Sequence, residues 1–316
     1  MERMLEEYGL QLIRLELPFR LNHVNCFLAE GIDGYTVIDT GLHNEKTVKR
    51  WEEELAGKEV KHLIITHYHP DHYGYAGSFQ ERYGTSVSMS QIDAENGLFS
   101  WEKELLTKLG KYYRLSGIPE QIARQMIENT EAFVPRVQPY PTISHYLEEG
   151  EKIVLGKYEY EVIFTPGHSE GLVTFYNQEK NTLLSTDHIL PKITPNISHW
   201  FHGDPNPLSS YFDSLDKIAA LEVDFIIPSH GKPFHEGHLR VLELKAHHYE
   251  RLEALHEIIQ AGRTVYEACE QLFNKQLNIH ETRFAIGETL AHLEYLRLNG
   301  GCQREQQGEV YVYRAD

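Results

Sequence analysis

Between Gln11 and Asp39 short apolar runs alternate with turn residues: Gln11-Leu-Ile-Arg-Leu, Val24-Asn-Cys-Phe-Leu, then Tyr35-Thr-Val-Ile-Asp. Runs of this length and composition predict consecutive strands of a sheet. The third ends in Asp39-Thr40-Gly41, a sharp turn bearing a carboxylate. Asn44 to Leu55 reads as an exposed helix, and His62 to Thr66 returns as a buried strand. Three later runs have the same character: Tyr160 to Thr165, Thr182 to Thr186 and Asp224 to Ser229.

The period then changes. Leu98 to Phe133 has helical spacing, in Trp101-Glu-Lys-Glu-Leu-Leu and in Pro119-Glu-Gln-Ile-Ala-Arg-Gln-Met-Ile. This stretch, about 98–135, falls between strands and is expected to be a helical insertion and a candidate lid. Its Lys108, Lys111, Tyr112, Tyr113 and Arg114 either face an anionic substrate or form a solvated helix face with Tyr packed beneath.

Past residue 237 the pattern is mostly helical, from His238 to Gln260, Thr264 to Phe273 and Glu281 to Asn299, with Thr264 and Glu267 spaced as a capping box. Cys302 to Tyr313, turning at Gln306-Gln307-Gly308, reads as a hairpin. Helices followed by a terminal hairpin predict a small winged-helix domain over 238–316, after a larger domain over 1–237.

Four potential metal ligands crowd the exit of the strand that ends at Thr66: His67, His69, Asp71 and His72. The chain has 19 histidines, and His247 and His248, in a helical run, are expected to be solvated. A tight loop leaving a rigid strand can aim imidazole and carboxylate groups at one point, a donor set suited to Zn²⁺, Fe²⁺ or Mn²⁺. Further candidates recur at strand exits, in Pro166-Gly167-His168, at Asp187-His188 and at His230-Gly231. Each alone is also a plausible turn or cap residue. Strand ends that converge on one edge of a layered sheet make a site, and that convergence is the argument.

Composition narrows the partners. The formal net charge is −17, from 30 Lys plus Arg and 47 Asp plus Glu, which disfavours a polyanionic partner such as nucleic acid. From His238 to Asp316 there are 9 basic and 12 acidic residues, so the tail shows no phosphate-binding excess. Three cysteines, Cys26, Cys269 and Cys302, indicate neither a disulfide framework nor a Cys-rich zinc site. No apolar run approaches the roughly 18 to 20 residues that span a bilayer, and the N-terminus lacks a signal-peptide core. A cytoplasmic protein acting on a small molecule is the expectation.

The ordered motifs resemble the metallo-β-lactamase superfamily, whose His-x-His-x-Asp-His signature is met at His67, His69, Asp71 and His72. The similarity extends through Asp39 to Gly41, Pro-Gly-His at His168, Asp187 and Ser-His-Gly at His230, roughly residues 11 to 235. It is strongest toward the lactamase-β-2-like and glyoxalase-II-like hydrolases. The resemblance implies an α/β fold, an αββα sandwich with metals at one edge. It implies that His67, His69 and His168 hold one metal, that Asp71, His72 and His230 hold the other, and that Asp187 bridges them. Asp39 would steady the ligand loop by hydrogen bonds, and His188 and Lys192 would face substrate. Where many members continue with Gly-Gly, His72 is followed by Tyr73-Gly74-Tyr75, so either the next helix packs differently or the Tyr75 ring lines the pocket.

Two divalent ions, Zn²⁺ by first expectation with Fe or Mn as alternatives, can share a water and hold hydroxide ready at neutral pH. Asp71 could orient that nucleophile or pass its proton to the leaving group. The leading expectation is hydrolysis of a small ester, thioester or phosphoester. Its rivals are a metal-dependent nuclease, a mononuclear iron dioxygenase of the persulfide-oxidising type, and a DNA-binding regulator with a degenerate hydrolase domain.

Overall fold

The computed structural model describes residues 2–316. After a short helix α1 (Glu2–Glu7), six strands form one sheet in chain order: β1 (Leu10–Glu16), β2 (His23–Gly31), β3 (Gly34–Ile38), β4 (Val60–Ile64), β5 (Ser86–Ser90) and β6 (His145–Leu147). Pairing is antiparallel from β1 to β3 and parallel from β3 to β6. Six more strands, β7 (Lys152–Leu155), β8 (Tyr158–Phe164), β9 (Val173–Asn177), β10 (Thr182–Thr186), β11 (Phe225–Pro228) and β12 (Phe234–His235), form the second sheet. Within it β10 and β11 are the parallel pair.

The two-residue period of a strand sends neighbouring side chains into different layers. In β2, Phe27 and Ala29 join the core between the sheets, whereas Val24, Cys26 and Leu28 join the core beneath the helices. In β10, Leu184 faces the first sheet and Leu183 faces outward. Burying each such large side chain stabilises by about 1.5–3 kcal/mol. A one-residue slip would misplace all of them, so the register is firmly set.

Helices close both faces. α2 (Glu45–Glu54), α3 (Pro70–Tyr73) and α4 (Ala76–Tyr83) lie by the first sheet. The α2 helix expected to be exposed is amphipathic: Trp51 is fully buried and donates Nε1–H to the Thr40 carbonyl at 2.9 Å. The insertion forms α5 (Lys103–Leu115) and α6 (Glu120–Glu131), and the second sheet is covered by α7 (Pro207–Ala219) and α8 (Gly237–Ile258). This is the expected αββα sandwich.

The tail continues with α9 (Val265–Phe273), α10 (Ile279–Leu298) and a hairpin, β13 (Cys302–Gln307) with β14 (Val310–Ala315). Thr264 caps α9 in a capping box with Glu267, and Asn278 does the same for α10 with Glu281. The insertion and the tail share one core, in which Leu105, Leu109, Tyr113 and Met126 pack with Leu255, Ala268, Ile286 and Leu293. The insertion is thus anchored on the tail rather than hinged over the site by itself. All three cysteines are buried and unbridged. Among the described residues no helix is long and apolar enough to cross a membrane.

Candidate metal centre

Asp39 organises the centre from the end of β3. Its backbone is left-handed (φ 60°), a conformation that costs a non-glycine residue on the order of 1–3 kcal/mol and recurs at functional sites. The carboxylate accepts from the Thr66 N–H at 2.9 Å, from the Thr66 hydroxyl at 2.8 Å and from His72 Nδ1 at 2.7 Å. One buried acid therefore ties the end of β4 to the first turn of α3.

Two of the other histidines, His168 and His230, are held in the same way. His168 Nδ1 lies 2.8 Å from the Asn196 carbonyl, and His230 Nδ1 lies 2.7 Å from the carbonyl of His23. A ring nitrogen facing a carbonyl or carboxylate must carry the hydrogen, which leaves the Nε2 lone pair free to ligate. Those Nε2 atoms converge on Asp187, at 3.5 Å from His72, 3.3 Å from His168 and 3.2 Å from His230. Asp71 joins from α3, 3.4 Å from His230 Nε2.

Donor atoms of three overlapping triads lie within 4.8 Å of one another: His67, His69 and His168; His67, His72 and Asp187; Asp71, His72 and His230. Buried Nε2 atoms of His67, His72 and His230 and Oδ1 of Asp187 have no hydrogen-bond partner. Unsatisfied groups at this density are costly unless something binds them. Five imidazoles and two carboxylates with orphaned atoms turned inward fit divalent cations.

Electrostatics agree with that fit. Burial would push the His72 and His230 pKa values down, but Asp187 with Asp39 and Asp71 around His72, and Asp187 with Asp71 around His230, outweigh it and hold both rings above their ordinary value. His67 and His69 are pushed well below theirs, first by burial and then by neighbouring imidazoles. The carboxylate end of the centre attracts positive charge, and its other end presents neutral lone pairs.

Residues 20–230 match the sequence profile of the metallo-beta-lactamase superfamily, well over half of the chain. The chain belongs to the metallo-β-lactamase superfamily. Residues 252–316 match the metallo-beta-lactamase-like C-terminal domain. The probable metallo-hydrolase YqjP of Bacillus subtilis (strain 168) is 24% identical over 317 residues, with 96% of each chain covered. The acyl-coenzyme A thioesterase MBLAC2 of Homo sapiens is 23% identical over 252 residues, 75% of this chain and 82% of its own length. The crystal structure of the metallo-beta-lactamase family protein TTHA1429 from Thermus thermophilus aligns with a TM-score of 0.85 and 34% identity, over 98% of this chain and 99% of that one. As a superfamily member with metallo-hydrolase relatives, the chain is a metal-dependent hydrolase.

A cavity of about 900 Å³ opens in front of the centre, with His69, Asp71, His168 and Asp187 on one wall. Leu105, Leu109 and Tyr113 of α5 and Phe284 of α10 stand among its other walls, so the shared helical core also builds the cavity. His188 and Lys192, expected to face substrate, are absent from the cavity lining, and of the two alternatives for Tyr75 the structure shows packing in the core. Tyr75 is 2% exposed and packs edge-on against Phe79, away from the cavity lining. The glycine kept before it explains the departure: a Cβ at Gly74 would strike the carbonyls of Pro70 and Arg136, whereas the Tyr75 ring has a place in the core. His188 is fully buried against Tyr211, and burial lowers its pKa to about 3, so it stays neutral. Lys192 is exposed outside the cavity lining.

Of the five insertion residues named as candidates, Tyr113 alone lines the cavity. Lys108 is exposed and paired with Glu104, and Tyr112 stacks on Phe201 at 5.5 Å. His248, expected to be solvated, is fully buried and lies 3.0 Å from His292. Asp93 was not legible as a site residue. Its carboxylate accepts from the N–H of Tyr68, the hydroxyl of Ser169 and the N–H of Gly171, clamping the two loops that carry His67, His69 and His168. Burial outweighs these three donors and raises its pKa to about 6. No spacing in the chain marks such a residue, since its partners are mostly backbone groups brought close by folding.

Proposed function

We propose that this chain is a two-metal hydrolase of esters or thioesters whose acyl part is apolar. The observation that carries this reading is the juxtaposition of the metal centre with a large cavity walled by leucine and aromatic side chains. A volume of about 900 Å³ is near the upper end of small-molecule sites, and apolar walls suit an acyl chain better than a phosphodiester. The thioesterase named among the relatives supports the same substrate class.

Two divalent cations, Zn²⁺ by our reading, would be held by His67, His69 and His168 and by Asp71, His72 and His230, with Asp187 serving both groups; bound there they would supply activated water and a polarised substrate oxygen. The chain's own part is orientation and proton handling. Asp39 and the carbonyls of Asn196 and His23 fix three imidazoles in one tautomer. Asp71 is 20% exposed and lines the cavity, so its carboxylate is placed to take the proton from attacking water and return it to the leaving group. The apolar walls keep bulk water from the acyl chain.

We place the substrate among small molecules because the centre faces an apolar cavity and the chain carries a net charge of −17. The 238–316 segment is read as a winged-helix unit that serves to wall this cavity. Metal-loaded protein assayed with p-nitrophenyl esters and acyl thioesters of rising chain length, and with bis(p-nitrophenyl) phosphate, tests the reading. The expected result is a kcat/KM that rises with acyl length. A preference for the phosphodiester, or a flat dependence on length, would refute it.

A further inference from the structure

Arg283 of α10 lines the cavity and has no part in the metal centre. Its guanidinium carbon stands 4.9 Å from the Phe284 ring centre, 5.1 Å from Trp200 and 6.0 Å from Phe133. Its Nε is shut off from solvent without a hydrogen-bond partner, and among the described residues no carboxylate neutralises it. The acids on its own helix are engaged elsewhere. Glu281 accepts from the Asn278 N–H and faces Arg20, and Glu288 pairs with Arg251 at 3.0 Å.

A guanidinium does not lose its charge in a protein, so burial cannot be relieved by deprotonation. Aromatic faces recover part of the lost hydration, but a partly buried charge with no counter-charge still favours an anion that can reach it. Arg136 lies on the same ring, 5.3 Å from the centre of Phe133, and lines the same cavity. Arg20 and Lys275 also line the cavity, but Arg20 faces Glu281, and Arg283 is the arginine that stands among aromatic rings with its Nε shut off from solvent and no carboxylate partner among the described residues.

We propose that Arg283 binds a carboxylate or phosphate group of the substrate, with Arg136 adding to the field, so that the substrate is an amphiphile with an apolar body, one anionic group and a scissile ester or thioester. A planar guanidinium can take either anion through two parallel N–H···O bonds. The scissile end rests on the function proposed above; the anion site does not.

Calorimetric titration of the metal-loaded full chain with decanoate, decyl phosphate and decanol tests the site. At least one anion is expected to bind about tenfold or more tightly than decanol, and the tighter anion identifies the group. Arg283→Met should abolish the preference, Arg283→Lys should keep part of it, and removal of metal with a chelator should leave it in place. A preference that survives Arg283→Met, or that vanishes with the metal, would overturn the proposal, as would equal affinity for all three ligands. Arg283→Met removes a partly buried charge that has no carboxylate partner, so its melting temperature should equal or exceed that of the parent. Should it fail to fold, Arg283→Gln carries the same test. A chain that hydrolyses no ester but keeps the Arg283-dependent preference would refute the proposed function and leave this site standing.

Discussion

His72 and His230 at the sheet edge, and His248 and His292 between α8 and α10, are four fully buried imidazoles, yet their surroundings drive them in opposite directions. Carboxylates overcome burial at the first pair and raise both pKa values. At the second pair burial prevails, with neighbouring His247 and Arg251 adding to it, and the values fall to about 2 for His248 and about 4 for His292. Ring nitrogens also point differently. His248 Nδ1 meets His292 Nε2 at 3.0 Å and, among the described residues, no carboxylate pairs with either ring, whereas the Nε2 atoms of His72 and His230 face Asp187 at 3.5 and 3.2 Å. Crowded histidine does not by itself make a metal centre. His292 Nδ1 is held by the Glu288 carbonyl at 2.7 Å just as His230 Nδ1 is by that of His23, so it is the carboxylates that distinguish the cluster that can hold cations.

The strongest way to break this contrast is Asp187→Ala. It removes the carboxylate that reaches His72, His168 and His230. Metal content by elemental analysis should fall to about one ion per chain or fewer, and hydrolysis should drop on the order of 100-fold or more, beyond the cost of losing a group that only orients a ligand. His248→Gln should leave both unchanged; an equal loss of metal there would erase the distinction. Asp39→Asn comes next. Its amide cannot accept from His72 and both Thr66 donors together, and metal affinity measured against a competing chelator should weaken about 10- to 100-fold.

Acid should separate the clusters by sign. The unfolded chain protonates His248 near its ordinary 6.5, but the folded chain resists to about 2, so this site's contribution to stability is full above pH 6.5 and falls as pH drops below it. Between pH 6.5 and 5 that loss is roughly 2 kcal/mol, and His248→Gln should lessen the slope of the melting-temperature profile over this range, leaving the part due to His292. The raised values of His72 and His230 act oppositely in metal-free protein, where their contribution is present below pH 6.5 and is lost as pH rises through the folded values. Metal-loaded protein should instead release its ions on acidification, because protons compete for the same lone pairs. A profile unchanged by His248→Gln would show that this pair does not stay neutral.

Asp93→Asn is expected to have the smallest effect. The amide keeps one acceptor oxygen but turns an NH₂ toward donors, costing about 1–3 kcal/mol of stability by thermal melting. Metal content should stay near that of the parent, since Asp93 holds loops and does not meet the metal-facing atoms. Loss of metal as large as in Asp39→Asn would show that clamping the loops matters as much as orienting the rings.

The chain by itself announced the strands, the capping box at Thr264 and the order of the ligand motifs, because each depends on short-range spacing. A strand's exit is a local event, and a histidine or aspartate placed there is readable without knowing its partners. It also misdirected where local pattern says nothing about depth. His248 sits in a run that looks solvated, and Tyr75, His188 and Lys192 follow ligand motifs in sequence without reaching the cavity lining.

Tertiary structure alone decided the rest. The resemblance implied that Asp39 steadies the ligand loop, but folding chose its donors, the Thr66 N–H and hydroxyl and His72 Nδ1, 27 and 33 residues further on. Asn196 and His23 offer only carbonyls to His168 and His230, and every residue has a carbonyl. The insertion and the tail look like separate helical segments until their apolar faces meet in one core. Arg283 looks like any helical arginine until Trp200, Phe284 and Phe133 surround it. Ligand identity follows from which residue stands at a strand's end, a one-dimensional fact; orientation, burial and the shape of the cavity depend on distances between remote segments, which only the folded chain brings to their values.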